Sequence, residues 1–206
     1  NAAELNRALG RPEGASFLSP GKTSWKVLDS MLLFRLSHNN QDFVFRRNEV
    51  TGGSAGMLNN TTRALVADNT FRNLRGSAVH AGFTHRSNPL PAEGCGSRDY
   101  VIRDNKMENC GASAIRVDSD AGIGGNIIIK NNTISYSASR EPWHAISVIG
   151  NNDGVVVKDN LFQSVRPPSR GPWIYSRAND QPILHSNNRI DPPHEDVPML
   201  LERNRN

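Results

Sequence analysis

Large rings, long apolar runs and blocks of like charge are all scarce in this sequence. Aromatic residues fill 6% of 206 positions, too few for a thick core, so thin layers and many turns are expected. No apolar run approaches the roughly eighteen residues of a membrane span. The two cysteines, Cys95 and Cys110, make neither a disulfide framework nor the spacing of a metal cluster. No motif asks for a cofactor. The net charge of +4 is the balance of 24 basic and 20 acidic residues scattered along the chain. Scatter argues against a nucleic-acid stripe, while a mild basic excess is compatible with an acidic glycan. The chain opens on Asn1 without a signal peptide, and is expected to be a trimmed product.

What is present is an ordinary soluble balance, 36% apolar and 21% charged, arranged as a repeat. The stretches FVFRRNEV (43–50), LVADNTF (65–71), VIRDNKM (101–107), IIIKNNTI (127–134), VVVKDNLF (155–162) and ILHSNNRI (183–190) share one shape. Apolar residues lead through one or two polar ones to an Asn, then one variable residue and a large apolar one. The Asn positions are 48, 69, 105, 132, 160 and 188, in steps of 21, 36, 27, 28 and 28 residues. A second element, SAVH (77–80), SAIRV (113–117), HAISV (144–148) and PWIY (172–175), follows most copies as a short alternating strand. Leu74, Cys110, Ser137 and Val165 lie five residues after their Asn and are expected to face inward.

A unit of this size, with two or three short strands and no helical period, cannot bury its apolar face alone but can when stacked. The pattern predicts an all-β, right-handed parallel β-helix of six to seven coils over 31–206, preceded by a capping or lead-in segment over 1–30. A stack of antiparallel hairpins is the alternative; two-residue hairpin turns are scarce, and unequal repeats suit coils that extrude loops. Each Asn is expected at a corner, where it tolerates the left-handed conformation and bonds along the stack.

Outward residues of one sheet then form columns, and aligning the second element gives Arg35, Met57, His80, Arg116, Ser147 and Tyr175, with Ser77, Ser113 and His144 nearby. The longest insertions, 81–96 and 118–125, and the loops ASREPW and RPPSRG flank that face, as walls of a binding surface would. Asp118 and Asp120 are the best acid pair. In an extended segment they share a face about 6.6 Å apart, near the lower end of the roughly 6.5–9.5 Å that separates the carboxyls of inverting glycosidases. The bland alternative is that short Asp residues at a Gly-rich turn cap it. The same DSDAG departs from the calcium-loop pattern at Gly122 and has no distal Glu in place. His80 and His144 are candidate bases, and a cation such as Arg116 beside an imidazole favours its neutral form. Trp143 and Tyr175 could stack on sugar rings, while Trp173 sits at a core position.

With its matched coils and the run RDNKMENCGASAIRV…NIIIKNNTISYS, the chain resembles the right-handed β-helix superfamily typified by pectate lyases, with the closest look to β-helix glycoside hydrolases and carbohydrate-binding repeat proteins. The resemblance implies a polysaccharide or oligosaccharide partner, with an anionic one compatible with the mild basic excess, which is also that of an ordinary solvated surface, and an extracellular or periplasmic location. It departs from the polygalacturonase signatures and from the lyase Asp-His element. Three functions stay open. A glycoside hydrolase would use Asp118 and Asp120 as acid and base, with His80, Arg116, His144, Tyr175, Trp143 and Arg35 around the sugar. A lyase or epimerase would set Arg116 against a uronate carboxylate and use His80 or another base. A non-catalytic module would only bind.

Overall fold

In a computed structural model, residues 32–36, 40–58, 61–83, 98–111, 113–177 and 181–203 are described. The expected cap over 1–30, most of the 81–96 insertion and Cys95 lie outside them. The described residues contain no helix and form an all-β parallel solenoid of about six coils.

Three faces run along the stack. The first is β1 (Leu32–Leu36), β4 (Ser54–Leu58), β7 (Val79–Phe83), β10 (Ile115–Lys130), β12 (Ile146–Lys158), β14 (Ile174–Arg177) and β17 (Leu200–Arg203). The second is β2 (Asn40–Arg46), β5 (Thr61–Ala67), β8 (Arg98–Arg103), the far parts of β10 and β12, and β15 (Leu184–Ser186). The third is β3 (Glu49–Thr51), β6 (Thr70–Arg72), β9 (Lys106–Glu108), β11 (Thr133–Tyr136), β13 (Leu161–Ser164) and β16 (Arg189–Asp191). Because β10 and β12 run continuously around one corner, the first two faces fuse into a single eleven-stranded sheet, and the third is a separate six-stranded one.

All pairs are parallel and in the register the repeats predict. Phe71 pairs with Met107, Met107 with Ile134, and Ile134 with Phe162; all four are fully buried. On the second face the same holds for Val66, Ile102, Ile129 and Val157, and on the first for Val79, Ile115, Ile146 and Ile174. Each such side chain contributes about 1.5–3 kcal/mol by leaving water. Stacking like on like therefore supplies the core that one coil lacks.

The repeated Asn forms a continuous ladder. Asn105 receives two hydrogen bonds on its Oδ1, from the backbone N of Asn69 at 3.0 Å and from its Nδ2 at 2.9 Å. Its own N and Nδ2 donate to Asn132 Oδ1 at 3.1 and 3.0 Å, and Nδ2 also donates to Val66 O at 2.9 Å. The same links run from Asn48 to Asn188. An amide suits this place because it supplies acceptor and donors on one planar group.

Two details differ from expectation. The left-handed residue is not the ladder Asn but the one before it: Arg47, Asp68, Asp104, Asn131, Asp159 and Asn187 all have φ between 53° and 57°. That residue turns the chain, leaving the ladder Asn free to point inward. Leu74 and Cys110 are buried as expected, whereas Ser137 is exposed and Val165 is 66% exposed. In those later coils the third-face strand is one residue longer and ends on the buried Tyr136 and Ser164, so the chain leaves the core there. The Leu74 and Cys110 corners are instead held close. A Cβ on Gly111, at φ +43°, would meet the Gly76 carbonyl at 2.5 Å, so only glycine fits.

Candidate functional site

Strand pairing on the first face brings the aligned column into register, and its residues from His80 to Tyr175 stand on the outer side. Arg35 pairs with Met57, Met57 with His80, His80 with Arg116, Arg116 with Ser147, Ser147 with Tyr175, and Tyr175 with Leu201. Two residues further along each strand lies a second outward column, in which Asp118 pairs with Ile149, Ile149 with Arg177, and Arg177 with Arg203.

Across these columns runs an open groove of about 440 Å³, lined by Ser77, Ser113, Arg116, Trp143, His144, Ser147, Ile149, Arg170, Tyr175, Arg177, Leu201 and Arg203. Arg116, Trp143, His144 and Tyr175, singled out in the sequence, meet there. Arg170, Arg177 and Arg203 were missed: Arg170 sits in a variable loop, Arg177 lies one outward position beyond the aligned PWIY element, and Arg203 lies on β17, which the alignment did not include. Extending the alternation two residues would have found Arg177.

The loops before β12 and β14 build one wall. Ser169 ties them together by donating its N to Pro142 O at 2.8 Å and its Oγ to the same oxygen at 3.1 Å. This places the Arg170 guanidinium carbon 3.6 Å from the centre of the Trp143 ring, a cation–π contact on a half-exposed indole. On the floor, Ser113 and Ser147 share a 2.7 Å hydrogen bond. His144 stacks on Tyr175 with ring centres 4.6 Å apart and planes 9° from parallel.

His144 is held in one tautomer. Its Nδ1 lies 2.9 Å from Pro172 O, a pure acceptor, so Nδ1 carries the proton and Nε2 keeps its lone pair. Burial lowers the His144 pKa, and the nearby Arg170 charge lowers it further against the opposing pull of the Pro172 carbonyl. The ring is therefore neutral near pH 7 and able to accept a proton.

Asp118 is not open to the groove. It is outward by register yet fully buried. Its Oδ2 accepts from Arg116 Nε at 3.0 Å and Nη2 at 2.5 Å, with His80 Nε2 at 3.8 Å. Burial pushes the Asp118 carboxyl up, but the His80 imidazole and the Arg116 guanidinium together outweigh it and hold the pKa below the usual value. It is a buried carboxylate that anchors Arg116. His80 stands with it and does not line the groove; its Nε2 and Asp118 Oδ1 are buried without hydrogen-bond partners. Asp120 lies in β10 where the pairing slips between Ser119 and Gly124, and its side chain, like that of Arg35, is outside the described residues.

Cys110 is a buried free thiol whose pKa burial pushes up to about 12, so it packs and does not react. Among the described residues no group of three or more His, Cys, Asp or Glu could hold a metal ion, and no helix is long and apolar enough to cross a membrane. No protein-family model, curated protein or solved structure matches the chain. Fold and groove geometry therefore carry the functional reading.

Proposed function

We propose that this β-solenoid is a carbohydrate-active protein that holds an anionic polysaccharide or oligosaccharide along the groove of its first face. One observation carries the reading. Arg177 and Arg203 are direct register neighbours, both exposed and both in the groove, with no carboxylate among the described residues that line it. Neither has an ion-pair partner among the described residues. Like charges opposite one another on a sheet are destabilising, by about 1 kcal/mol at the dielectric of bulk water and roughly 5 Å. An acidic ligand turns that cost into attraction. Trp143 and Tyr175 add flat faces against which a sugar ring can pack.

The chemistry we favour in this groove is β-elimination from a uronate, a second reading motivated by His144. Its Nε2 would remove the C5 proton, the electron pair would form the C4–C5 double bond, and the C4–O bond would break. The Tyr175 hydroxyl would protonate the leaving oxygen, and Arg116 would face the carboxylate. Hydrolysis by Asp118 and Asp120 is less well supported, because a general acid needs a proton and access, and Asp118 is ionised and covered. Incubation with acidic polysaccharides separates the outcomes. A new unsaturated-uronate absorbance that disappears in His144→Gln supports elimination. Reducing ends without absorbance would indicate hydrolysis, and binding without products would leave a binding module.

A further inference from the structure

We infer that the Arg177–Arg203 pair is a subsite for a tetrahedral oxyanion ester on the glycan, a sulfate or phosphate ester, in preference to a sugar carboxylate. The inference rests on the anionic-glycan reading above and narrows its ligand.

The four arginines of the groove are not equivalent. Arg116 gives two donors to Asp118, so its charge is largely answered inside the protein. Arg170 lies over the Trp143 ring. Arg177 and Arg203 alone among them stand side by side, on adjacent parallel strands at the same register and on the same outer side. Adjacent strands are about 4.8 Å apart, so two planar guanidinium forks, each with five donors, can converge on one anion from two directions.

A carboxylate suits one fork. Its two oxygens lie in one plane and are filled by a single bidentate guanidinium, which leaves the neighbouring Arg with no acceptor. A sulfate or phosphate ester presents three terminal oxygens in a tetrahedral spread, enough to receive both forks at once. Beside the pair, Ile149 occupies the next position of the column and brings no competing acceptor. Among the described residues Arg203 lies on the last strand of the first face, β17, and the Trp143–His144–Tyr175 cluster lies beside the pair toward the preceding coils.

The test uses one sugar backbone with different groups: dextran sulfate, dextran phosphate and carboxymethyl dextran at matched substitution, and unmodified dextran, titrated calorimetrically into the protein. The inference expects the sulfate or the phosphate polymer to bind about tenfold or more tightly than the carboxymethyl polymer, and which of the two wins identifies the ester. In the double variant Arg177→Lys/Arg203→Lys, which keeps both charges but loses both forks, the preference should shrink to within about twofold. Thermal melting of the variant checks that it is folded; both side chains are exposed. Equal affinity for carboxymethyl and ester polymers, or a preference that survives in the double Lys variant, overturns the subsite and leaves the anionic groove standing. Failure of all three charged polymers to bind overturns both.

Discussion

At the scale of single residues, His144 is the most informative side chain. Its buried ring is held neutral, with Nδ1 committed to Pro172 O. A histidine whose folded pKa lies below its unfolded value of about 6.5 binds fewer protons folded than unfolded as the pH drops. Its stability contribution is complete above the unfolded value and is lost as the pH falls through it toward the folded value. Urea unfolding of wild type at pH 8, 6.5 and 5 should show this acid-side loss, and His144→Gln should show less of it. Identical pH slopes in the two proteins would contradict the assignment. For turnover, the same depression moves the acid limb of the rate profile below the ordinary histidine range, since the base stays unprotonated to lower pH. His144 was legible in the sequence as a face residue. Its tautomer was not, because Pro172 belongs to the next coil.

Among elements, the corner between the second and third faces holds the solenoid in register. Asn105 is 2% exposed, and its removal would take the side-chain partner from the Asn69 N–H and the Val66 carbonyl, and one of two acceptors from the Asn69 amide, which keeps Phe45 O. With each orphaned buried group costing about 1–3 kcal/mol, Asn105→Ala should lose on the order of 3 kcal/mol. Denaturant titration would show it as a lower midpoint at unchanged slope. An unchanged midpoint would mean that the ladder is incidental. The ladder could be seen in the sequence because a buried Asn recurs with the repeat. That Asp104, Asn131 and Asp159 make the left-handed turn was hidden, since short polar residues occupy both positions of the corner. The exposure of Ser137 and Val165 was equally hidden, because a strand longer by one residue leaves no mark in an alternating pattern.

The whole molecule reads as a stack with one differentiated face. Two faces carry mixed charge in ion pairs across coils, such as Arg63 with Asp42 and Arg72 with Glu108. The first face carries a groove lined by four arginines and no carboxylate among the described residues. The pairing of repeats was legible because burial forces like onto like at every coil. The setting of Asp118 was not legible from its spacing to Asp120: it shares an outer side with Arg116 two residues away and is drawn into a buried ion pair, which a spacing rule for carboxyls does not contain. Groove arginines escaped notice because scattered charge in a sequence converges only when coils stack.

The claim on which the account rests is that this groove, and no general basic surface, holds the acidic glycan. It is tested most directly by two variants with the same change in net charge, Arg177→Gln/Arg203→Gln in the groove and Arg46→Gln/Arg189→Gln on the second and third faces, where both side chains are exposed. Affinity for dextran sulfate and carboxymethyl dextran would be measured at one fixed salt concentration, because screening sets the strength of surface charge. The groove variant should lose about tenfold or more on the tighter-bound polymer, while the other stays within about twofold of wild type. Equal losses in the two variants would contradict the claim.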